Sequence, residues 1–208
     1  TLTASKVEPG GARAPDIAKA EIEGFVTSLT AGGFVLAGQT VAVSAGTVDV
    51  GGVASDVVAG VKLEVEGPLS NGVLAAVRVT FKDSVRFEAN VASVNAAAGT
   101  LTLAGLPGIT VQAQALTQFK DVAGVAGLAV GNHLRIKARP GAGSAVLAIE
   151  LERRSVSPDS RVVLEGPVSA TGGTRTLTIL GVVVDTAAVQ ADRLGALGGD
   201  LLVTSVAG

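Results

Sequence analysis

Glutamate recurs at the same place in three related stretches of this 208-residue chain. Glu23, Glu88 and Glu165 open the stretches Glu23-Gly24-Phe25-Val26, Glu88-Ala89-Asn90-Val91 and Glu165-Gly166-Pro167-Val168. A carboxylate repeated in this way could bind a cation or a cationic ligand once in each unit. The alternative is structural, because a Glu on the polar face of a first strand discourages wrong edge pairing or accepts a hydrogen bond from a turn. The three glutamates are therefore our candidate ligand residues.

The other residue types exclude most enzymatic chemistry. The chain has a single His, His133, and no Cys or Tyr, so carboxylates and Lys are the groups left for catalysis. It has no Gly-x-Ser-x-Gly pattern, no His/Cys metal spacing, no Asp-rich calcium loop and no glycine-rich loop followed by Lys-Ser or Lys-Thr. The sequence therefore predicts that the protein is not an enzyme and has no catalytic, cofactor-binding or metal-binding residue.

Two further polar features have ordinary structural interpretations. His133 lies at a strand position predicted to face water, where a lone His is solvated or hydrogen-bonded. Glu64 and Glu66 stand two residues apart on one predicted strand face. We interpret them as a solvated pair, because a general acid and base would need a cleft to separate their pKa values.

Composition indicates which elements carry these residues. Hydrophobic residues make up 48% of the chain, with five Phe and no Trp, Tyr or Met, and Gly is frequent at 28 residues. Val and Gly favour short strands and tight turns over long helices, so the predicted fold class is all-β. The net charge of −2, without a basic cluster, and the few aromatic residues argue against a nucleic-acid partner.

The repeat divides the chain into small β units. We predict a strand of a preceding unit plus a linker in residues 1–20, barrel 1 in 21–84, barrel 2 in 85–156 and barrel 3 in 160–208. Each full unit has five strands, with a short helical turn between the third and fourth strands, placed at Val53 to Ala59 in the first unit. This is the order of an OB-fold barrel, so tandem OB-like barrels are the expected architecture.

The third unit lacks an equivalent of the last strand, which is Leu74 to Val79 in the first unit and Val146 to Leu151 in the second. The stretch Leu2 to Glu8 has the form of that strand. We therefore expect a natural protein that is longer. We also expect Leu2 to Glu8 to complete a third barrel, either within the chain or by donation to a neighbouring molecule.

Three motifs resemble the bacterial family catalogued as domain of unknown function 5666. They are the Glu-Gly-x-Val opening at Glu23 to Val26, the Gly-preceded strand at Gly60 to Gly67 and the closing strand at Leu74 to Val79. The second copy departs from the pattern at Ala89 and Ala138. Members of that family are largely exported and have no assigned activity. The resemblance thus implies an OB-like fold and a periplasmic or extracellular location, with lipid anchoring through a removed N-terminus as one form of attachment.

Together these observations predict a non-enzymatic, exported structural or protein-interaction module of the bacterial cell envelope. The alternative is a ligand-binding module that takes an oligosaccharide or small molecule on barrel faces or in inter-barrel grooves. The uncharged stretches Gly24 to Val48 and Ala89 to Phe119 alternate at period two and contain Gly or Pro-Gly turns, so no transmembrane segment is predicted.

Overall fold

A computed structural model describes residues 17–143, 145–155, 161–172, 176–187 and 200–206. Over these residues the protein is all-β, as predicted, and its helical structure consists of two 3-10 turns, Ala54–Asp56 and Val125–Gly127. The first of these turns lies within the segment predicted to contain a helical turn. Leu2 to Glu8 lies outside the described residues, so its pairing stays a prediction.

The first unit contains seven strands. They are β1 (Ile17–Thr30), β2 (Gly33–Leu36), β3 (Gln39–Ala42), β4 (Val48–Val50), β5 (Lys62–Ser70), β6 (Val73–Ala75) and β7 (Arg78–Phe81). Pairing runs from β1 through β2, β3, β6 and β5 and returns to β1, which closes a five-stranded barrel. The β3–β6 pair is parallel, and the other pairs of this ring are antiparallel. Beyond the ring, β7 pairs with β5 and β4.

The alternation of apolar and polar side chains along the strands explains how the core of this barrel is filled. Along β5, Leu63 and Val65 are fully buried, whereas Lys62 and Glu64, which alternate with them, lie half-buried on the outer face. A shift of one residue would exchange these two sets, so the apolar pattern fixes the register. The core collects residues from all the ring strands: Val26, Phe34, Leu36, Val41, Leu63, Val65, Leu69 and Leu74. Each buried large apolar side chain contributes roughly 1.5–3 kcal/mol relative to exposure.

The second unit repeats this plan with longer strands. They are β8 (Val85–Asn95), β9 (Thr100–Leu103), β10 (Thr110–Lys120), β11 (His133–Pro140) and β12 (Ala145–Arg154). Their pairings also form a circuit, from β8 through β9, β10, β12 and β11 back to β8, and β10 is parallel to β12. Here β10 occupies the place of both β3 and β4, and β12 the place of both β6 and β7.

The third unit continues the sheet of the second. It contains β13 (Arg161–Gly172), β14 (Thr176–Ile179), β15 (Val182–Asp185) and β16 (Asp200–Val206). Among the described strands, β13 pairs with β14 and β16, and β15 pairs with β14 alone. In addition β13 pairs antiparallel with β8, where Phe87 lies opposite Leu164. Leu164, Leu177 and Ile179 belong to the same apolar cluster as the second unit's core, so these two units share a core.

The first unit differs from the sequence prediction in several places: it has seven strands where five were predicted, because β4 was not foreseen and the last predicted strand is divided into β6 and β7. β1 begins at Ile17 and so includes the last residues of the predicted linker. The last strand of the first unit, predicted as one segment, is interrupted at Ala76 and Val77. The interruption has a cause in hydrogen bonding, because the Ala76 N–H donates to Ala42 while the Val77 N–H donates to Glu66 on the opposite neighbour.

Candidate functional site

The three recurrent glutamates lie at equivalent positions on the first strand of each unit. Glu23 is on β1, Glu88 on β8 and Glu165 on β13. Because β8 and β13 pair, Glu88 and Glu165 lie on adjacent strands, whereas Glu23 belongs to the other sheet. The structure therefore does not bring the three carboxylates into one site.

Each of these glutamates has a basic partner on a neighbouring strand. Glu23 accepts from the Lys62 Nζ at 2.9 Å, and this hydrogen bond lowers the pKa of Glu23 below 4.5. Glu165 pairs with Arg86 of β8, at 3.7 Å between a carboxylate oxygen and Nη1. These contacts correspond to the structural interpretation, in which the carboxylate matches a cross-strand partner.

Glu88 is the most enclosed of the three, because it contacts the single histidine. The His133 Nε2 lies 3.3 Å from Glu88 Oε1, and the His133 Nδ1 lies 2.8 Å from Asn90 Oδ1. The side chain of His133 is 4% exposed. The prediction that His133 faces water was therefore wrong: the residue lies between Asn90 and Arg154 in the sheet, and its cross-strand neighbours cover it.

The outer face of β10, β11 and β12 is a ladder of alternating charges. Glu150, 14% exposed, accepts from Lys120 at 2.6 Å and lies 3.5 Å from Lys137. The hydrogen bond from Lys120 is the main reason that the pKa of Glu150 falls below 4.5, although burial opposes it. Glu152 in turn pairs with Arg154 at 2.8 Å. Carboxylates compensated in this way are structural and are unsuited to shared-proton acid–base chemistry.

The pair Glu64 and Glu66 is also compensated by basic side chains. Glu64 accepts from Lys82 at 2.8 Å, and Glu66 lies 3.6 Å from Lys19 and 3.8 Å from Arg78. The hydrogen bond to Glu64 also raises the pKa of Lys82 above 10.5. Lys19 lies on β1, Arg78 on β7 and Lys82 directly after β7, so each carboxylate has its own cation.

A cavity of about 460 Å³ opens at one end of the first barrel, and we call it the barrel-end cavity. Its walls come from the end of β1, from β2, β4 and β7, and from the first 3-10 turn and the adjoining loops. The residues that matter below are Phe34, Asp49, Ala54, Val57 and Val79. Leu29 and Val43, which also line it, are exposed, so the cavity is accessible from solvent. Sequence reasoning missed this site, since its residues form no motif.

A second space of about 430 Å³ lies where the three units meet. Its lining comes from Ala59 and Gly60 of the first unit, Pro140 and Gly141 of the second, and Leu180 and Gly181 of the third, among others. None of the described residues that line it is charged, and Glu23, Glu88 and Glu165 are not among them. This inter-unit groove therefore offers shape and apolar surface but no ionic recognition.

One arginine links the first unit to the second. Arg139 of β11 is 1% exposed, and its Nη2 lies 2.7 Å from Asp56 Oδ2 on the first 3-10 turn. Its guanidinium stacks over the Phe81 ring at 4.6 Å, and Nη2 also lies 3.4 Å from Gln114 Oε1. Arg139 Nε and Nη1 are buried without a protein partner. A buried charge thus spans the junction and depends on Asp56 for compensation.

Over the described residues the protein is all-β, with a closed five-stranded barrel and a second sheet, and its three recurrent glutamates are ion-paired. Within the described ranges, no group of three or more His, Cys, Asp or Glu is placed to hold a metal ion. No helix among those residues has the length and apolarity to cross a membrane.

The family profile described as domain of unknown function (DUF5666) matches residues 23–80 and again residues 88–152. The chain therefore belongs to this family, as its motifs suggested. Searches of curated proteins and of solved structures returned no match.

Proposed function

We propose that the protein is a non-enzymatic structural or protein-interaction module of the bacterial cell envelope, in which OB-like barrels are held at fixed positions. The observation that carries this proposal is the pairing of β8 with β13, since it joins two units through backbone hydrogen bonds and a shared core. A module that presents surfaces at fixed spacing needs such junctions. A catalytic site needs groups with perturbed chemistry in a cleft, and the recurrent glutamates are instead ion-paired on strand faces.

Strand order supports the OB-like interpretation. In both closed circuits the third strand is parallel to the fifth, and the first pairs with the fourth. A short helical turn stands between the third and fourth strands in both units. These are features of five-stranded Greek-key barrels of the OB type.

The fixed-spacing proposal predicts a narrow distribution of distances between units. Because the chain has no Cys, single cysteines can be placed at the exposed residues Ser28 and Ala97 and labelled with nitroxides. Pulsed electron paramagnetic resonance should give one narrow distance in the parent protein. Arg139→Ala should broaden it, whereas the matched surface change Arg153→Ala should not. A broad distribution in the parent protein would refute the scaffold role.

The proposed location is periplasmic or extracellular, with lipid anchoring through a removed N-terminus as one form of attachment. Its support is the resemblance of the motifs to a largely exported family. Fractionation of cells that express the natural protein, followed by immunodetection, tests the location. We expect the protein outside the cytoplasm, and recovery with the cytosolic fraction would contradict the proposal.

Strand donation between molecules is the proposed mode of self-association. It is supported by β15, which has one paired edge among the described strands, and by the sequence of Leu2 to Glu8. Deletion of residues 1–8 removes the donated strand and should lower the mass measured by light scattering or cause aggregation. Ala4→Pro should have the same effect, because proline removes a backbone N–H of that strand. Ala4→Ser is the matched control and should behave like the parent. Unchanged mass and solubility in the deletion variant would argue against donation.

The second candidate function is binding of a small molecule, and the barrel-end cavity favours it. At about 460 Å³, this cavity has the volume of small-molecule sites, which span roughly 300–1,000 Å³. The scarcity of aromatic residues counts against an oligosaccharide, whose rings stack on such side chains. A small apolar ligand is therefore the better match.

A further inference from the structure

The two complete units provide an internal comparison for the barrel-end cavity. Asp49 lies opposite Val79 in the parallel pair β4–β7, and Phe119 lies opposite Leu151 in the parallel pair β10–β12. In the first unit, β4 follows the third strand of the ring and β7 follows the fifth. In the second unit, the C-terminal halves of β10 and β12 take the places of β4 and β7. Asp49 and Phe119 are therefore structural equivalents in the two barrels.

The equivalent positions in the second unit hold larger apolar residues. Phe119 packs against the core there, and Leu128 belongs to that core. The 3-10 turns begin at Ala54 and at Val125, and their C-caps are Val57 and Leu128. The first unit thus has Asp, Ala and Val where the second has Phe, Val and Leu. These smaller side chains account for the open volume at the end of the first barrel.

Asp49 is also chemically unusual in its surroundings. It is half-buried, and no ion-pair or hydrogen-bond partner for its side chain is found among the described residues. The nearby Thr47 hydroxyl is already engaged, because it donates to the Ala76 carbonyl at 2.8 Å. No Lys, Arg or His lines the cavity. Asp49 thus gives a solvent-accessible cavity a carboxylate for which the described lining residues supply no cation.

We propose that the barrel-end cavity binds a small apolar molecule that carries one ammonium group. Its ammonium donates to the Asp49 carboxylate, and its apolar body contacts Phe34, Val57 and Val79. This inference rests on the second candidate function and adds to it the charge and the position of the ligand. The smaller side chains of the first unit explain the space, and the unpaired Asp49 carboxylate explains the positive charge of the ligand.

The test is a nuclear magnetic resonance titration of ¹⁵N-labelled protein with 2-phenylethylammonium and, as its neutral counterpart, 2-phenylethanol. We expect saturable shifts of the amides of residues 44–57 with the ammonium probe. The alcohol should bind at least about tenfold more weakly, because it lacks a charge-assisted hydrogen bond. Absence of saturable shifts with the ammonium probe overturns the proposal, and equal affinity for the two probes overturns the role of Asp49.

Three variants locate the interaction. Asp49→Asn keeps the shape and should remove the preference for ammonium over alcohol. The combination of Asp49→Phe, Ala54→Val and Val57→Leu copies the second unit and should abolish binding of both probes. Asp83→Asn changes an exposed carboxylate elsewhere and should bind like the parent. Parent-like binding in Asp49→Asn overturns the proposal even if the triple variant fails to fold, and neither result bears on the inter-unit distances that test the scaffold.

Discussion

Arg139 allows a quantitative test of how the first two units are held together. Its guanidinium is buried, and Asp56 is its short ion-pair partner across the junction, at 2.7 Å. We consider Asp56→Asn, which removes the charge but keeps the side-chain shape and an oxygen that can accept from the Val53 N–H. The variant leaves the Arg139 charge buried without a counter-charge.

Removal of one partner of a buried ion pair costs about 3–5 kcal/mol, because the remaining charge stays desolvated. We expect Asp56→Asn to lie near the lower end, at about 3 kcal/mol, since Asp56 is 15% exposed and water reaches it. Arg139→Met should cost less, about 1–2 kcal/mol. It leaves Asp56 partly hydrated and also removes the two guanidinium nitrogens that lack partners, at the loss of the contact with the Phe81 ring.

The double variant Asp56→Asn/Arg139→Met should therefore be more stable than Asp56→Asn alone, by about 1–2 kcal/mol. Urea unfolding followed by far-UV circular dichroism measures these differences, because the chain has no Trp or Tyr for fluorescence. If Arg139→Met loses as much stability as Asp56→Asn, and the double variant is the least stable, the reasoning from the buried charge is wrong.

Three further predictions use the same assay. The pKa of Glu150 lies below 4.5 in the folded protein, chiefly through the hydrogen bond from Lys120, so its ionised form stabilises the fold above that pH. The stability difference between the parent and Glu150→Gln should thus shrink as the pH falls from about 6 to about 3, and a constant difference would contradict this. His133→Ala should cost about 1–3 kcal/mol, because it removes a buried side chain with two hydrogen-bonded nitrogens, and a cost below about 0.5 kcal/mol would contradict the contacts. Gly67→Ala should cost more than about 2 kcal/mol, because its Cβ would overlap the Ala75 carbonyl oxygen, whereas Ala138→Gly at the equivalent position of the second unit should cost only about 1 kcal/mol. Equal losses of stability in Gly67→Ala and Ala138→Gly would contradict the steric overlap at Gly67.

The local pattern of the chain predicted most of the first unit's fold. The alternation of Leu63 and Val65 with charged neighbours, and the preceding Gly60, identified β5 and its inward face. The positions of the glutamates on first strands followed from the same repeat. Boundaries were less predictable, since β5 continues beyond the Gly60 to Gly67 motif to Ser70 through contacts with β6.

The site could not be predicted, because it depends on contacts between residues distant in sequence. The burial of His133 results from Asn90, which is 43 residues away. The equivalence of Asp49 and Phe119 appears only when strand pairing is known, since β10 runs without interruption where β3 and β4 are separate strands. The interaction between Arg139 and Asp56 likewise joins two units that the repeat treats as independent.

The pairing of β8 with β13 also has a consequence for the order in which the protein folds during synthesis. All strands of the first barrel lie within residues 17–81, so it can close as soon as β7 has emerged. The first half of β8 pairs with β11 on one edge, but its other edge must wait for residues 163–165 of β13. Until then this strand edge has unpaired backbone groups, and such edges recruit other chains. The junction between the second and third units is therefore the step at which slow emergence of the chain carries the greatest risk of misassembly.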